Sequence, residues 1–265
     1  MRVKILIVRL SYIVPVHNET RLLRDKLDVL VHGLIARGGG EAILVENGSA
    51  DASWELCQAL EQEHHARAHE AHRHDERSDA VVRAYRVPAA GIGHAYDLGL
   101  RKMLELHPAS EDAERWAVLT AADLPFGFTD VEAAAPYVHD ARIMIGSKAH
   151  PASRVDVNMD RALASRAYRL ARRTVLGSRV GDSQGSILLR ADLARELVPR
   201  IEARGFFYST ELVYFAERGG EVVRELPITL DKNERKSSVK PVQDGVRMMG
   251  QLLELRARTL FRKRS

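Results

Sequence analysis

Several polar side chains stand where apolar runs of the sequence stop, and such places can hold a ligand. Asp123 comes just after the run Trp116, Ala117, Val118, Leu119, with Ala121 and Ala122 beside it and Pro125 and Gly127 beyond. Glu46 ends the run EAILVE, and Asn47-Gly48 opens a turn. His17, Asn18 and Glu19 follow the run SYIVPV, which contains Pro15. Lys148 begins a basic, polar loop with His150, Arg154 and Arg161. In open α/β sheets the carboxyl ends of strands are where ligands bind, so these run ends are the candidate site.

Other chemistry-bearing residues carry less. His65, His69 and His72 fall at i, i+4 and i+7, a spacing that would turn three imidazoles to one helix face. No carboxylate or cysteine completes a ligand set, and the 61–79 stretch reads as a solvated, charged helix end and loop. Gly91, Gly93 and Gly99 look like a dinucleotide fingerprint with a misplaced third glycine, after a third strand rather than a first. A glycine turn before a helix can still approach a phosphate or ribose closely. Cys57, the only cysteine, sits among apolar residues of a predicted helix and reads as a small buried hydrophobe.

The elements that must position these residues alternate. Strands are predicted at Ser11–Val16, Glu41–Glu46, Ala80–Tyr85, Trp116–Leu119 and Ala141–Ile145. Helical periods cover Arg21–Leu34, capped by Asn18 or Thr20, and Ala52–Glu63, capped by Ser49 or Asp51. A helix follows the glycine turn, another precedes Asp140, and Ala162–Leu176 is arginine-studded. GDSQGSILLR reads as a turn into a short strand, residues 192–203 and the stretch from Ser209 as helices, and Glu221–Ile228 as an edge strand. Alternation of this kind predicts a mostly parallel sheet flanked by helices.

The chain has 265 residues, a formal charge of +4 and 45% apolar residues, the composition of a globular protein. Residues 234–265 carry nine Lys/Arg against three acidic residues, a balance suited to phosphate contacts. Sparse aromatics and the absence of a recognition motif argue against nucleic acid. A lone cysteine and no apolar run of membrane-spanning length predict a cytoplasmic protein. Residues 244–263 form a basic amphipathic pattern that suits either packing on the domain or peripheral contact with a membrane through 235–265.

Six landmarks taken together resemble one family. Pro15-Val16-His17-Asn18-Glu19 is similar to its P-V-Y-N-E, and Val45-Glu46-Asn47-Gly48-Ser49-Ala50-Asp51 to its V-D-D-G-S-T-D. Ala122-Asp123-Leu124 falls at D-A-D-L-Q, Gly181-Asp182-Ser183-Gln184-Gly185 at R-D-T-Q-C-G, Tyr208 to Leu212 at F-D-V-E-L, and Lys236-Ser237-Ser238-Val239 at K-S-K-V. The chain thereby resembles the family 2 inverting glycosyltransferases of GT-A fold, nearest the dolichyl- or polyprenyl-phosphate glucosyltransferases. The resemblance implies a GT-A domain over 1–234 and a basic C-terminal amphipathic helix over 235–265. It implies transfer of a hexose, glucose foremost, from a UDP-sugar to a polyprenyl phosphate. Pro15, His17, Glu19, Glu46, Asn47, Gly93, Ala122 and Asp123 would bind the nucleotide-sugar. Lys148, Arg154 and Gln184 would hold the acceptor phosphate, and Asp123, Asp182 and Glu211 would be catalytic.

Departures from the pattern sharpen the expectations. Ala121 and Pro125 replace two expected metal ligands, which leaves Asp123 alone to hold Mg²⁺ or Mn²⁺. The glycine-loop lysine is Ile92, and the Asp of F-D-V-E-L is Ser209. These changes raise two alternatives: a small soluble acceptor, or a degenerate protein that binds sugar nucleotides without turnover.

Overall fold

The computed structural model describes residues 8–71, 80–155, 159–230 and 241–261. Seven strands form one sheet in the order β3-β2-β1-β4-β6-β5-β7. They are β1 (Arg9–Val16), β2 (Gly40–Asn47), β3 (Ala80–Val87), β4 (Arg115–Leu119), β5 (Ile143–Gly146), β6 (Ile187–Arg190) and β7 (Arg224–Leu226). Pairings β1–β2, β1–β4, β2–β3 and β5–β7 are parallel, and β6 runs antiparallel between β4 and β5. The chain builds outward from β1 to β3 and then returns to lay β4 on the other side of β1. That reversal opens a crevice at the carboxyl ends of β1 and β4.

The helices are α1 (Leu23–Ile35), α2 (Ser53–Ala71), α3 (Ile92–Leu106), α4 (Thr129–Ala134), α5 (Met159–Leu176), α6 (Ala191–Leu197), α7 (Phe207–Arg218) and α8 (Pro241–Phe261). They cover both sheet faces, which is why the central strands read as continuous apolar runs. Strand residues alternate between two cores. Ile13, Ile43, Ala117 and Leu119 join residues of α3, α6, α7 and α8, while Tyr12, Val14, Leu44 and Val118 join residues of α1, α2 and α4. Gly99 belongs to this packing. A Cβ there would lie 2.3 Å from Ile13 Cγ2, so the third glycine of the apparent fingerprint lets α3 cross β1 closely.

Strand and helix expectations are met with boundaries shifted by a few residues, and α2 extends to Ala71. The stretch 192–203 is helical only to Arg200, by way of a short 3₁₀ turn. The capping expectation for α1 fails. Its first turn has no side-chain cap, because Asn18 and Thr20 bind the loop after β2 instead. Of the histidine triplet, His72 and the side chain of His69 lie outside the described residues, as do Lys236 to Val239.

On α4, Asp130 is 2% exposed, and burial pushes its carboxyl up to about 6. The charged form is penalised only in the folded state, so this group's contribution to stability falls as pH rises from about 4 through about 6. Asp130→Asn keeps an acceptor for the Val131 amide, which Asp130 Oδ1 meets at 2.8 Å. The variant is expected to unfold at higher urea than the parent at pH 7.5, by on the order of 3 kcal/mol, and to lose that advantage at pH 4. Urea titrations at the two pH values check it.

Candidate functional site

The ends of β1 and β2 lie level, with Val16 beside Glu46 in the register. Beyond them two loops are joined. His17 Nδ1 lies 2.8 Å from Asn47 O, and the Asn18 amide donates to Ser49 Oγ at 3.0 Å. Asn18 Oδ1 accepts from the Ala50 amide at 2.8 Å, the Glu19 amide donates to Ser53 Oγ at 2.8 Å, and Thr20 Oγ1 donates to Asp51 Oδ2 at 3.1 Å. Asn47 is 3% exposed. With its amide turned to suit its neighbours, it donates to Val16 O at 2.9 Å and accepts from Gly91 N at 3.1 Å. It thus ties β1 and β2 to the glycine turn after β3.

Glu46 is fully buried. Its Oε1 accepts from the Ser49 amide at 2.5 Å, and its Oε2 lies 2.8 Å from Arg86 Nε at the end of β3, in an ion pair that lacks hydrogen-bond alignment. The Arg86 guanidinium also stands 5.7 Å from the Trp54 ring centroid. The Glu46 carboxylate is therefore buried at the end of β2, its charge balanced by a half-exposed arginine that sequence reading did not single out.

Asp123 stands beyond β4 on a run of tight turns, where the Leu124 amide donates to Ala121 O and the Gly127 amide to Leu124 O. Tyr96 of α3 donates its hydroxyl to Thr120 O at 3.1 Å, and burial together with the Asp123 charge holds that phenol well above its ordinary range. Among the described residues two non-glycine positions have positive φ: Asn18 at 57° and Leu124 at 48°. One follows β1 and the other follows β4. Left-handed backbone at a leucine is costly, and such strain collects at functional sites. Both outliers flank the crevice that the topology opens.

The glycine turn answers to the protein's own chain. A Cβ at Gly93 would lie 2.5 Å from the Arg204 carbonyl carbon, and one at Gly91, whose φ is +136°, 2.7 Å from Arg204 O. The close approach expected of a ligand at Gly93 is made by the loop between α6 and α7. That loop brings a partly exposed guanidinium, Arg204, to the same end of the sheet; its Nη1 bonds Ile201 O and Ala203 O, each at 3.0 Å. Glu211, expected as a catalytic residue, is 1% exposed. Its oxygens accept the Ala203 amide at 2.8 Å and the Glu202 amide at 3.2 Å and meet Arg258 of α8, so it anchors this loop.

The remaining predicted residues gather across the sheet from β1. Lys148, Arg154 and Gln184 are exposed, and the Lys148 amide donates to Asp182 Oδ2 at 3.2 Å. Asp182 Oδ1 also accepts from the Gln184 amide at 2.9 Å. Arg154 is held through its backbone, with its amide on Ile228 O and its carbonyl on the Leu230 amide. The structure thus yields two groups: Pro15, His17, Glu19, Glu46, Asn47, Ala122 and Asp123 around the crevice, and Lys148, Arg154, Asp182 and Gln184 beside it. Among the described residues no group of three His, Cys, Asp or Glu side chains is placed to hold a metal ion. Cys57 is buried and its thiol is pushed up to about 12, chiefly by desolvation, which suits a packing role.

No family model matches the chain. Solved structures do resemble it. Glucosyl-3-phosphoglycerate synthase from Mycobacterium tuberculosis in complex with UDP aligns with a TM-score of 0.61 at 17% identity, covering 94% of this chain and 80% of that one. The same enzyme with Mn²⁺, UDP-glucose and phosphoglyceric acid gives 0.61 at 15% identity, with 94% and 80% covered. With Mn²⁺, UDP and glucosyl-3-phosphoglycerate it gives 0.57 at 16% identity, with 94% and 78% covered. At such identities the likeness establishes the fold: a mixed α/β sheet flanked by helices, the GT-A architecture of nucleotide-sugar transferases.

Proposed function

We propose that this protein is an inverting hexosyltransferase that moves glucose, or a close relative, from a UDP-sugar to an acceptor carrying a phosphate. The observation that carries the reading is the strained backbone at Leu124, next to Asp123 on the turn that follows β4. The solved structures of this fold, bound to UDP and UDP-glucose, support it. In this reading the nucleotide lies over the joined loops around His17, Glu19, Glu46 and Asn47, and its diphosphate faces Ala122 and Asp123. A divalent cation would have Asp123 as its one candidate protein ligand from the motif, with the nucleotide's own phosphates completing the shell.

Lys148 and Arg154 hold the acceptor phosphate and aim one oxygen at the anomeric carbon. The phosphate is ionised at neutral pH, so the attacking oxygen needs little help from a general base. In-line displacement then expels UDP with inversion. We favour a small phosphorylated acceptor, because the structural neighbours bear phosphoglycerate.

A polyprenyl phosphate is the second reading, and one observation favours it. Helix α8 buries Leu252 and Leu255 against the domain yet leaves Met249 38%, Leu253 59% and Leu260 49% exposed. Gln184 Nε2 lies 3.8 Å from Met248 Sδ, so the helix adjoins the acceptor loop. An exposed apolar stripe with arginines along the helix suits an anionic lipid surface. Among the described residues no helix is long and apolar enough to cross a membrane.

Labelled UDP-sugars incubated with 3-phosphoglycerate or a short polyprenyl phosphate test the transfer. The parent is expected to form a glycosylated product of inverted configuration, and Lys148→Ala/Arg154→Ala to raise the acceptor KM roughly tenfold or more with the donor KM unchanged. No product from either acceptor, with UDP binding intact, would identify a sugar-nucleotide-binding protein instead. Flotation with phosphatidylglycerol vesicles separates the two acceptor readings: the polyprenyl reading expects binding that Leu253→Glu/Leu260→Glu abolishes, and no binding by the parent removes it.

A further inference from the structure

On β7, at the sheet edge, Glu225 joins two loops that are distant in sequence. Its Oε1 accepts from Ser147 Oγ at 2.5 Å and from the Asp182 amide at 3.3 Å, and its Oε2 accepts from the Gly181 amide at 2.9 Å. The same peptide run is gripped from the other side by α5. Arg169 Nε donates to Gly181 O at 2.8 Å, and Arg172, 1% exposed, donates through Nη2 to Val180 O. Carbonyls of residues 180 and 181 are thus held by guanidinium groups, and amides of residues 181 and 182 by a carboxylate. Gly181 has no room for a side chain, since a Cβ would lie 2.9 Å from Glu225 Oε1 and 3.0 Å from Ala149 Cβ.

The grip passes to the residues that face the acceptor. Ser147, held by Glu225, accepts the Ala149 amide on its Oγ at 3.1 Å, and its carbonyl accepts Ser153 Oγ at 2.6 Å. Ser153 Oγ in turn accepts from the Ile228 amide at 3.0 Å, next to the pairing that fixes Arg154. Asp182, held through its amide, accepts the Lys148 amide. Lys148 and Arg154 are long, exposed side chains, so their reach depends on where their backbones start. We infer that Glu225 is a positioning residue that sets the acceptor loops: directly through Ser147 and through Asp182, which it holds by the amide, it presents Lys148 and Arg154 to the acceptor's anionic group without touching the substrate. This rests on the transferase reading above.

Glu225→Gln tests it, because glutamine keeps the volume but replaces one acceptor oxygen with a donor. The expected result is a rise in acceptor KM of roughly tenfold, the loss of about one charge-assisted hydrogen bond, with UDP affinity unchanged. Amide hydrogen exchange should quicken by about the same factor at Gly181, Asp182 and Lys148 and stay as it was in β1 and β2. Gly181→Ala, which crowds the carboxylate from the other side, should reproduce both effects. Unchanged exchange at those three amides overturns the inference, and so does a fall in UDP affinity that matches the loss for the acceptor. If the parent transfers nothing, the transferase reading falls, while the exchange measurement still decides whether Glu225 sets the loops.

Discussion

A strand end in a parallel sheet leaves backbone N–H and C=O groups with no ladder partner, and buried groups of that kind must be satisfied by something else. The site described above is built from those satisfactions. Asn47 serves Val16 and Gly91, Ser49 and Ser53 serve the amides of residues 18 and 19, and Tyr96 serves the carbonyl of Thr120. At the other edge Glu225 serves Gly181 and Asp182. Once these groups are paired, the loops have little freedom, and the side chains left over are the ones that face a ligand.

The same constraint separates roles within the polar residues. Glu46 and Glu211 are buried carboxylates with partners on several sides, so they hold loops in place. Lys148, Arg154 and Gln184 are exposed beyond rigid backbone and can meet a charged group from solution. Asp123 stands between these classes, half-buried on a strained turn. Ala121 and Pro125 put no carboxylate or amide beside it, so Asp123 is the one acidic side chain of its turn.

Local pattern made the strands, most helices and the positions of Asp123 and Glu46 legible in the sequence. Apolar runs that stop at turn residues mark strand ends whatever the tertiary structure does. The rest depends on contacts with no local period. Asn18 and Thr20 looked like caps for α1, yet their partners lie 32 and 31 residues away in the loop after β2. Gly91 and Gly93 signalled a close approach, but only the fold reveals that Arg204 makes it. Glu225 went unnoticed in a short edge strand, since its amide partners are 43 and 44 residues distant.

On the proposed reading, the crevice at the ends of β1 and β4 receives a nucleoside diphosphate against Asp123. Calorimetric titration of UDP into the full chain, with Mn²⁺ and then with a chelator, is the decisive test when Asp123→Asn is run beside it. One UDP per chain is expected for the parent, and an affinity lower by roughly tenfold or more in the variant. No heat of binding with the parent, or equal affinity in the variant, would contradict it.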